Sequence, residues 1–123
     1  KSYELPASSL SDGTIVIFAM IIALYFEDRP FIVIEEPVSH IHPFLVGRLM
    51  AMMKEASEKK QVMVTTHSTE VVKYAGLDDI LLISRDSEGY SVISRPGDKE
   101  EVRAFLANEI GIEELYVQNL LGL

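Results

Sequence analysis

Two adjacent carboxylates follow a short apolar run in the first third of the chain. Glu35 and Glu36 come directly after Phe31-Ile32-Val33-Ile34 and precede Pro37. Neighbouring side chains at a strand end point in different directions, so the pair can divide two tasks. One carboxylate can hold Mg²⁺, which prefers oxygen ligands and keeps several waters, and the other can deprotonate an attacking water. The alternative is that the acids only mark a strand end and charge the following turn.

A histidine at the end of a second apolar run is the next candidate functional residue. His67 follows the apolar run 61–66 and lies between Thr66 and Ser68. At a strand terminus, an imidazole can bond to a terminal phosphate oxygen and sense whether that phosphate is present. A structural hydrogen bond accounts for a single histidine equally well.

Two further histidines follow the glutamates, in the segment Ser39-His40-Ile41-His42. Together with His67 or a glutamate, His40 and His42 offer the nitrogen and oxygen ligands that zinc binds. They are equally compatible with polar loop residues at a subunit contact. A metal-dependent hydrolase, using zinc or manganese, is therefore one alternative function.

The segment Ser11-Asp12-Gly13-Thr14 is typical of a helix start. Its small polar side chains can accept hydrogen bonds from the unpaired amides of the first turn. The same free amides and hydroxyl form an anion site, and Gly13 allows a phosphate to approach the backbone closely. Capping and phosphate binding are compatible at this segment.

The pattern of elements that positions these residues alternates between helix and strand. The predicted elements are helix 14–27, strand 31–34, helix 43–58, strand 61–66, a short helix 68–75, strands 80–84 and 90–94, helix 99–109 and a last helix from 113. The unalternating run before Glu35 predicts a strand buried on both faces. The order predicts an α/β fold, a mostly parallel sheet with flanking helices and an edge β-hairpin. Ligands of such sheets bind beyond the carboxyl ends of the strands, so Glu36 and His67 are expected to share one crevice.

Composition and charge narrow the class of protein. The 123 residues are 48% hydrophobic and 24% charged, which suits one packed domain. A net charge of −8 argues against a nucleic-acid-binding surface on this chain, although a partner domain could supply one. The absence of cysteine excludes disulfides and thiolate metal sites. No signal peptide is visible, and the apolar stretch 15–26 is too short for a bilayer, so we expect a cytoplasmic protein with no membrane contact.

Taken in order, these segments resemble the second half of an ATP-binding-cassette (ABC) ATPase, in particular its RecF-like, OLD-like and SMC-related branch. Residues 10–14 resemble the signature motif, and residues 31–37 resemble the Walker B strand. Residues 39–43 occupy the position of the D-loop, and residues 65–68 resemble the switch-histidine loop. The resemblance covers about residues 9 to 95, and the joint order of the motifs is more specific than any one of them.

The resemblance implies a magnesium-dependent ATPase with ATP and Mg²⁺ as its ligands. Glu35, where many cassettes have aspartate, would support the magnesium ion, Glu36 would be the general base, and His67 would contact the γ-phosphate. The implied nucleotide-binding set is Ser11, Asp12, Gly13 and Ser39. In this family two heads enclose two nucleotides, so a second head is the implied partner, as a homodimer, and DNA contacts would come from other parts of the protein.

Two features depart from the family pattern. His40 replaces the small residue or asparagine that is usual in the D-loop, and the chain contains no G-x-x-x-x-G-K-[ST] phosphate loop. Without the amides and lysine of that loop, an isolated lobe should bind ATP poorly. The chain also begins at Lys1 without an initiator methionine. We therefore expect residues 1–123 to be the C-terminal lobe of a longer AAA-type ATPase, a partial P-loop NTPase domain whose Walker A half lies upstream.

A non-catalytic dimerisation or interaction module is the second alternative. Such a module would keep the fold and the dimer surface without hydrolysing a nucleotide. Retention of Glu35, Glu36 and His67 weighs against it, because a scaffold does not need the three together. The sequence leaves the biological pathway open among DNA repair, chromosome maintenance and defence against phage.

Overall fold

The computed structural model describes residues 4, 6–107 and 111–122. Within it the chain divides into two compact units, Lys1–Ser68 and Thr69–Leu123. The first unit holds all the segments singled out for chemistry, and the second holds the hairpin and the last helices.

The first unit opens with a short 3₁₀ turn, Ala7–Ser9, and helix α1, Asp12–Ile21. Ser11 caps α1, since its Oγ accepts a hydrogen bond from the backbone N of Thr14 at 3.2 Å. A π-helical turn, Ile22–Phe26, continues α1, and Glu27 is already extended. The predicted helix start is therefore confirmed, and the helix ends just before the predicted break at Asp28-Arg29-Pro30.

A strand–helix–strand unit follows. Strand β1, Phe31–Glu35, leads to helix α2, Pro43–Ser57, and then to strand β2, Gln61–Thr65. The two strands are parallel, paired in register from Phe31↔Gln61 to Glu35↔Thr65. Pro43 is in the first turn of α2, where its missing N–H costs no hydrogen bond.

Helix α2 supplies most of the core of the first unit. Its buried residues are Val46, Leu49, Met50, Met53 and Ala56, joined by Met20, Leu24 and Ile41. Three hydrogen bonds connect the end of the first helical segment to the α2–β2 region. The Tyr25 hydroxyl donates to Glu55 Oε2 at 2.8 Å, and Lys60 Nζ donates to the carbonyls of Ala23 and Glu27.

The β1–β2 pair is covered on one face only. Side chains at even positions, such as Ile32 and Ile34, are half-buried. On the other face Phe31, Val33 and Met63 are 45%, 53% and 43% exposed; these three residues define what we call the bare face. The prediction that this strand is buried on both faces is therefore wrong for the chain as described, because α2 packs against β2 and nothing comparable covers the opposite side.

The second unit contains helix α3 (Thr69–Tyr74), strands β3 (Leu82–Arg85) and β4 (Ser91–Ser94), helix α4 (Glu100–Ala107) and helix α5 (Ile112–Val117). Strands β3 and β4 form an antiparallel hairpin. In its turn, Asp86 Oδ1 accepts from the backbone N of Glu88 and Tyr90, and Gly89 has a φ of 89°. A small core of Val102, Leu115 and Leu121 is packed against partly buried neighbours that include Leu82.

The predicted fold class is confirmed as a mixed α/β structure with a parallel strand pair and flanking helices. The hairpin forms a two-stranded sheet of its own in the described residues, rather than extending the parallel pair. The predicted end of the helix 99–109 lies outside the described residues. None of the helices in the described part of the chain is both long and apolar enough to cross a membrane.

Candidate active site

The carboxyl ends of β1 and β2 lie side by side. The register places Glu35 opposite Thr65, and the backbone N of Glu36 donates to the Thr65 carbonyl at 2.8 Å. The parallel pairing thus extends one step beyond the strands. As a result, the residues that follow each strand, Glu36 on one side and Thr66 and His67 on the other, emerge at one edge of the sheet.

Glu36 has an unusual backbone conformation. Its φ is 44°, in the left-handed region that non-glycine residues seldom occupy. A tight turn follows, in which the Glu36 carbonyl accepts hydrogen bonds from the Ser39 backbone N at 3.2 Å and from Ser39 Oγ at 2.7 Å. Backbone strain of this kind concentrates at functional sites. The turn redirects the chain directly after β1, which lets Glu36 reach the neighbouring strand end.

The Glu36 carboxylate is held by the loop after β2. Its Oε1 accepts from the backbone N of His67 at 2.9 Å, and its Oε2 accepts from Thr66 Oγ1 at 3.2 Å. Glu36 is half-buried. Each carboxylate oxygen has a second lone-pair direction, so an oriented carboxylate of this kind can still accept a proton from a water molecule.

Glu35 has different surroundings. It is the last residue of β1 and is exposed. Mg²⁺ is commonly bound through one or two carboxylates together with substrate phosphates and waters. An exposed single carboxylate beside Glu36 fits that coordination, because it leaves most ligand positions to water and phosphate.

His67 contributes its backbone N–H to the site, and the residue is exposed. Thr66 is the functional candidate that sequence reasoning missed. Its signal was the hydroxyl placed between the end of a strand and a histidine, where it can reach a neighbouring strand end.

The helix-start segment also has a close packing contact. Ser11 Oγ, which caps α1, also lies 2.8 Å from Thr14 Oγ1. A Cβ added at Gly13 would lie 2.5 Å from the backbone oxygen of His40. The structure therefore brings the first turn of α1 against the loop 37–42, while Asp12 remains exposed.

The histidines after β1 do not form a metal site. His42 Nδ1 accepts a hydrogen bond from the Phe44 backbone N at 3.2 Å, so His42 caps α2, and His40 is exposed. Among the described residues, no three histidine, cysteine, aspartate or glutamate side chains come close enough to hold a metal ion. The ligand set of the alternative zinc or manganese hydrolase is therefore not assembled in this structure.

The chain belongs to a family of AAA domains. Residues 1–73 match the family described as "AAA domain, putative AbiEii toxin, Type IV TA system". The matched range includes α1, β1, α2, β2 and the loop that holds Glu36.

Two individual proteins are also similar to this chain. The uncharacterized protein MJECL43 of Methanocaldococcus jannaschii is 24% identical over 92 residues, which cover 72% of this chain and 24% of that protein. The chain thus spans about a quarter of the length of this relative. A solved structure from work on ATP-driven dimerisation and DNA-stimulated activation of SMC ATPases superimposes with a TM-score of 0.61 and 22% identity, covering 83% of this chain and 62% of the other.

These findings place the chain in this AAA domain family and show that it shares the fold of an SMC ATPase structure. The structural likeness establishes the fold, and the family match establishes the relationship.

Proposed function

We propose that this chain is the C-terminal lobe of an ATP-hydrolysing head of the ABC type, in the RecF-like, OLD-like and SMC-related branch. The observation that carries the proposal is the Glu36 carboxylate, which two donors from the loop of His67 hold at the common edge of two parallel strands. A general base needs such a fixed position close to its substrate.

In this proposal the two acids and the histidine take the roles that the resemblance implies. A water oxygen attacks the γ-phosphorus of ATP, the bond to the β–γ bridging oxygen breaks, and the proton of the water passes to the Glu36 carboxylate. His67 contacts the γ-phosphate with its side chain. Glu35 supports a magnesium ion, which would neutralise charge on the phosphates when bound.

The remaining nucleotide contacts belong to a dimer of heads. In this proposal Ser11, Asp12 and Gly13, with the free amides of the α1 N-terminus, meet the γ-phosphate of a nucleotide held by a second copy. Ser39, whose hydroxyl closes the turn after Glu36, lies in the loop that approaches the same nucleotide. DNA contacts, if the intact protein makes them, come from other parts of it.

The lobe that carries the phosphate-binding Walker A loop is proposed to lie elsewhere in the intact protein. The sequence contains no phosphate loop. The bare face of the β1–β2 pair supports the same idea, because parallel sheets are ordinarily covered on both faces. We expect the isolated chain to be inactive, and the complete protein to act in the cytoplasm.

The test is magnesium-dependent ATP hydrolysis by the intact protein. Glu36→Gln keeps the size of the side chain and one acceptor oxygen for the backbone N–H of His67, places an NH2 group where Thr66 now donates, and removes the basicity. We expect kcat to fall by about 10²–10⁴-fold while ATP still binds.

A matched control is Glu58→Gln, an exposed acid after α2, which should leave the rate unchanged. An unchanged rate in Glu36→Gln would remove Glu36 as the base. A wild-type protein that binds no ATP would favour the interaction module, and stoichiometric zinc or manganese in the purified protein would favour the metal hydrolase.

A further inference from the structure

Thr66 stands between the two segments that the proposed mechanism uses. Its Oγ1 lies 3.2 Å from Glu36 Oε2, and it also accepts a hydrogen bond from the backbone N of Ser68 at 3.0 Å. Both Thr66 and Ser68 are half-buried. The Thr66 hydroxyl therefore contacts two groups, which are the Glu36 carboxylate and the backbone N–H of Ser68.

The direction of these hydrogen bonds is fixed by their chemistry. A backbone N–H can only donate, so Thr66 Oγ1 accepts from Ser68. An ionised carboxylate can only accept, so the single hydroxyl proton of Thr66 must point to Glu36. The order is Ser68 N–H to Thr66 O–H to the Glu36 carboxylate, and each donor in such a chain strengthens the next.

We propose that Thr66 is a positioning residue that fixes the orientation of the Glu36 carboxylate for proton transfer, an inference that rests on the proposed function. Glutamate has a long side chain, and a single hydrogen bond leaves its carboxylate free to rotate about that contact. The His67 backbone N–H holds Oε1 and Thr66 holds Oε2. Two donors from one loop determine the plane of the carboxylate, and thereby the direction of the lone pairs that face the attacking water.

The same hydroxyl connects the base to the histidine. The hydrogen bond from Ser68 folds the loop 66–68 back on itself around His67. A loop conformation that places His67 correctly therefore also places the proton of Thr66 toward Glu36. Thr66 makes the position of the base depend on the conformation of the histidine loop.

The decisive variant is Thr66→Val, which keeps the β-branched shape and removes the donor. In the intact protein we expect kcat for ATP hydrolysis to fall about 10- to 100-fold, because misplacement of a catalytic group by about 1 Å costs a factor of that order. The KM and the affinity for ATP should change less than about two-fold, since Thr66 orients the base rather than the nucleotide. Thr66→Ser, which retains the hydroxyl, should recover most of the rate.

A second comparison uses the Glu36→Gln background. Where no basic carboxylate remains to be oriented, Thr66→Val should change the residual single-turnover rate less than about two-fold. A full 10-fold loss in that background would show that Thr66 acts on something else and would overturn the proposal. Wild-type kcat in Thr66→Val, or a Thr66→Ser variant as slow as Thr66→Val, would overturn it as well.

The design separates this inference from the proposed function. If Glu36→Gln is inactive and Thr66→Val is as fast as wild type, only the role of Thr66 fails; if Glu36→Gln is as fast as wild type, both fail together. The thermal midpoint of each variant checks folding. Should Thr66→Val fold poorly, Thr66→Ala takes its place in the same comparisons.

Discussion

A neighbouring backbone leaves no room for a side chain at Gly13. A side chain at this position would meet the His40 carbonyl oxygen, with its Cβ only 2.5 Å away. A carbonyl belongs to the main chain, so it cannot swing aside as a flexible side chain would. The close approach brings α1 against the loop that begins at the Glu36 turn, and it makes glycine necessary even without a phosphate.

Gly13→Ala should therefore lower the stability of the protein. Alanine favours a helix over glycine by about 1 kcal/mol, but forcing atoms into a packed contact costs about 1–3 kcal/mol, so the clash should win. The measurement is the thermal midpoint of the intact protein. Ala19→Gly, at an exposed position of the same helix, reports the propensity effect alone. A Gly13→Ala variant that is more stable than wild type would show that the His40 loop yields easily.

The sequence was sufficient to predict that Glu36 and His67 lie at one edge of the sheet. It was not sufficient to predict the hydrogen bonds between the two loops. The apolar run before Glu35 and the strand before His67 were sufficient to expect a shared edge. The positive φ of Glu36 has no local sequence signal such as glycine. The capping role of His42 was missed because histidine is not among the preferred caps, although Pro43 marked the helix start.

At the scale of elements, one contact fastens the π-helical turn to α2. The Tyr25 hydroxyl donates to Glu55 Oε2 at 2.8 Å. This hydrogen bond raises the pKa of Tyr25 above its ordinary value of about 10, with desolvation and the negative charge of Glu55 acting in the same direction. The phenol is thus held protonated by its partner on the neighbouring helix.

Stability should depend on this contact in a defined pH range. Because the folded pKa is raised, the contribution of the contact is fully present below about pH 10 and is lost as the pH rises through the folded pKa. The difference in the free energy of unfolding between wild type and Tyr25→Phe should therefore shrink between pH 8 and pH 11, measured by urea denaturation. Tyr90→Phe, the same substitution at an exposed position in the β3–β4 turn, is the matched control. An equal difference at both pH values would contradict the assignment.

The periodicity of apolar residues predicted the helices and strands well. It predicted less well which faces of the strands are covered. The start of α1, the strand–helix–strand unit and the hairpin follow from caps, Pro43 and the turn at Gly89. The burial of β1 could not be predicted from its own residues, because an unbroken apolar run signals two covering layers, and the described residues provide one of them.

At the scale of the whole molecule, the proposed function requires two heads. Glu36→Gln should trap the nucleotide between them, so the intact variant should double in mass when Mg²⁺ and ATP are added. Light scattering after size-exclusion chromatography measures this directly.

A matched variant separates dimerisation from nucleotide binding. Ser11→Asp keeps a preferred N-cap residue, because aspartate and serine cap helices about equally well, but it adds a negative charge that would repel the phosphate of the second head. In the Glu36→Gln background it should bind ATP and remain monomeric. A Glu36→Gln protein that stays monomeric with ATP would contradict the two-head arrangement, and one that still doubles with Asp at position 11 would remove the α1 terminus from it.

The bare face of the β1–β2 pair also has a consequence for folding during translation. Phe31, Val33 and Met63 would be unfavourable in water if this lobe left the ribosome without a partner. Domains form from the N-terminus during translation, so an upstream Walker A lobe would already be folded when these strands emerge. The first lobe would then act as a template on which the second closes, and the apolar surface would be covered as it is made. Expression of residues 1–123 alone removes that template, and its yield of soluble protein should rise when the upstream lobe is supplied on the same polypeptide.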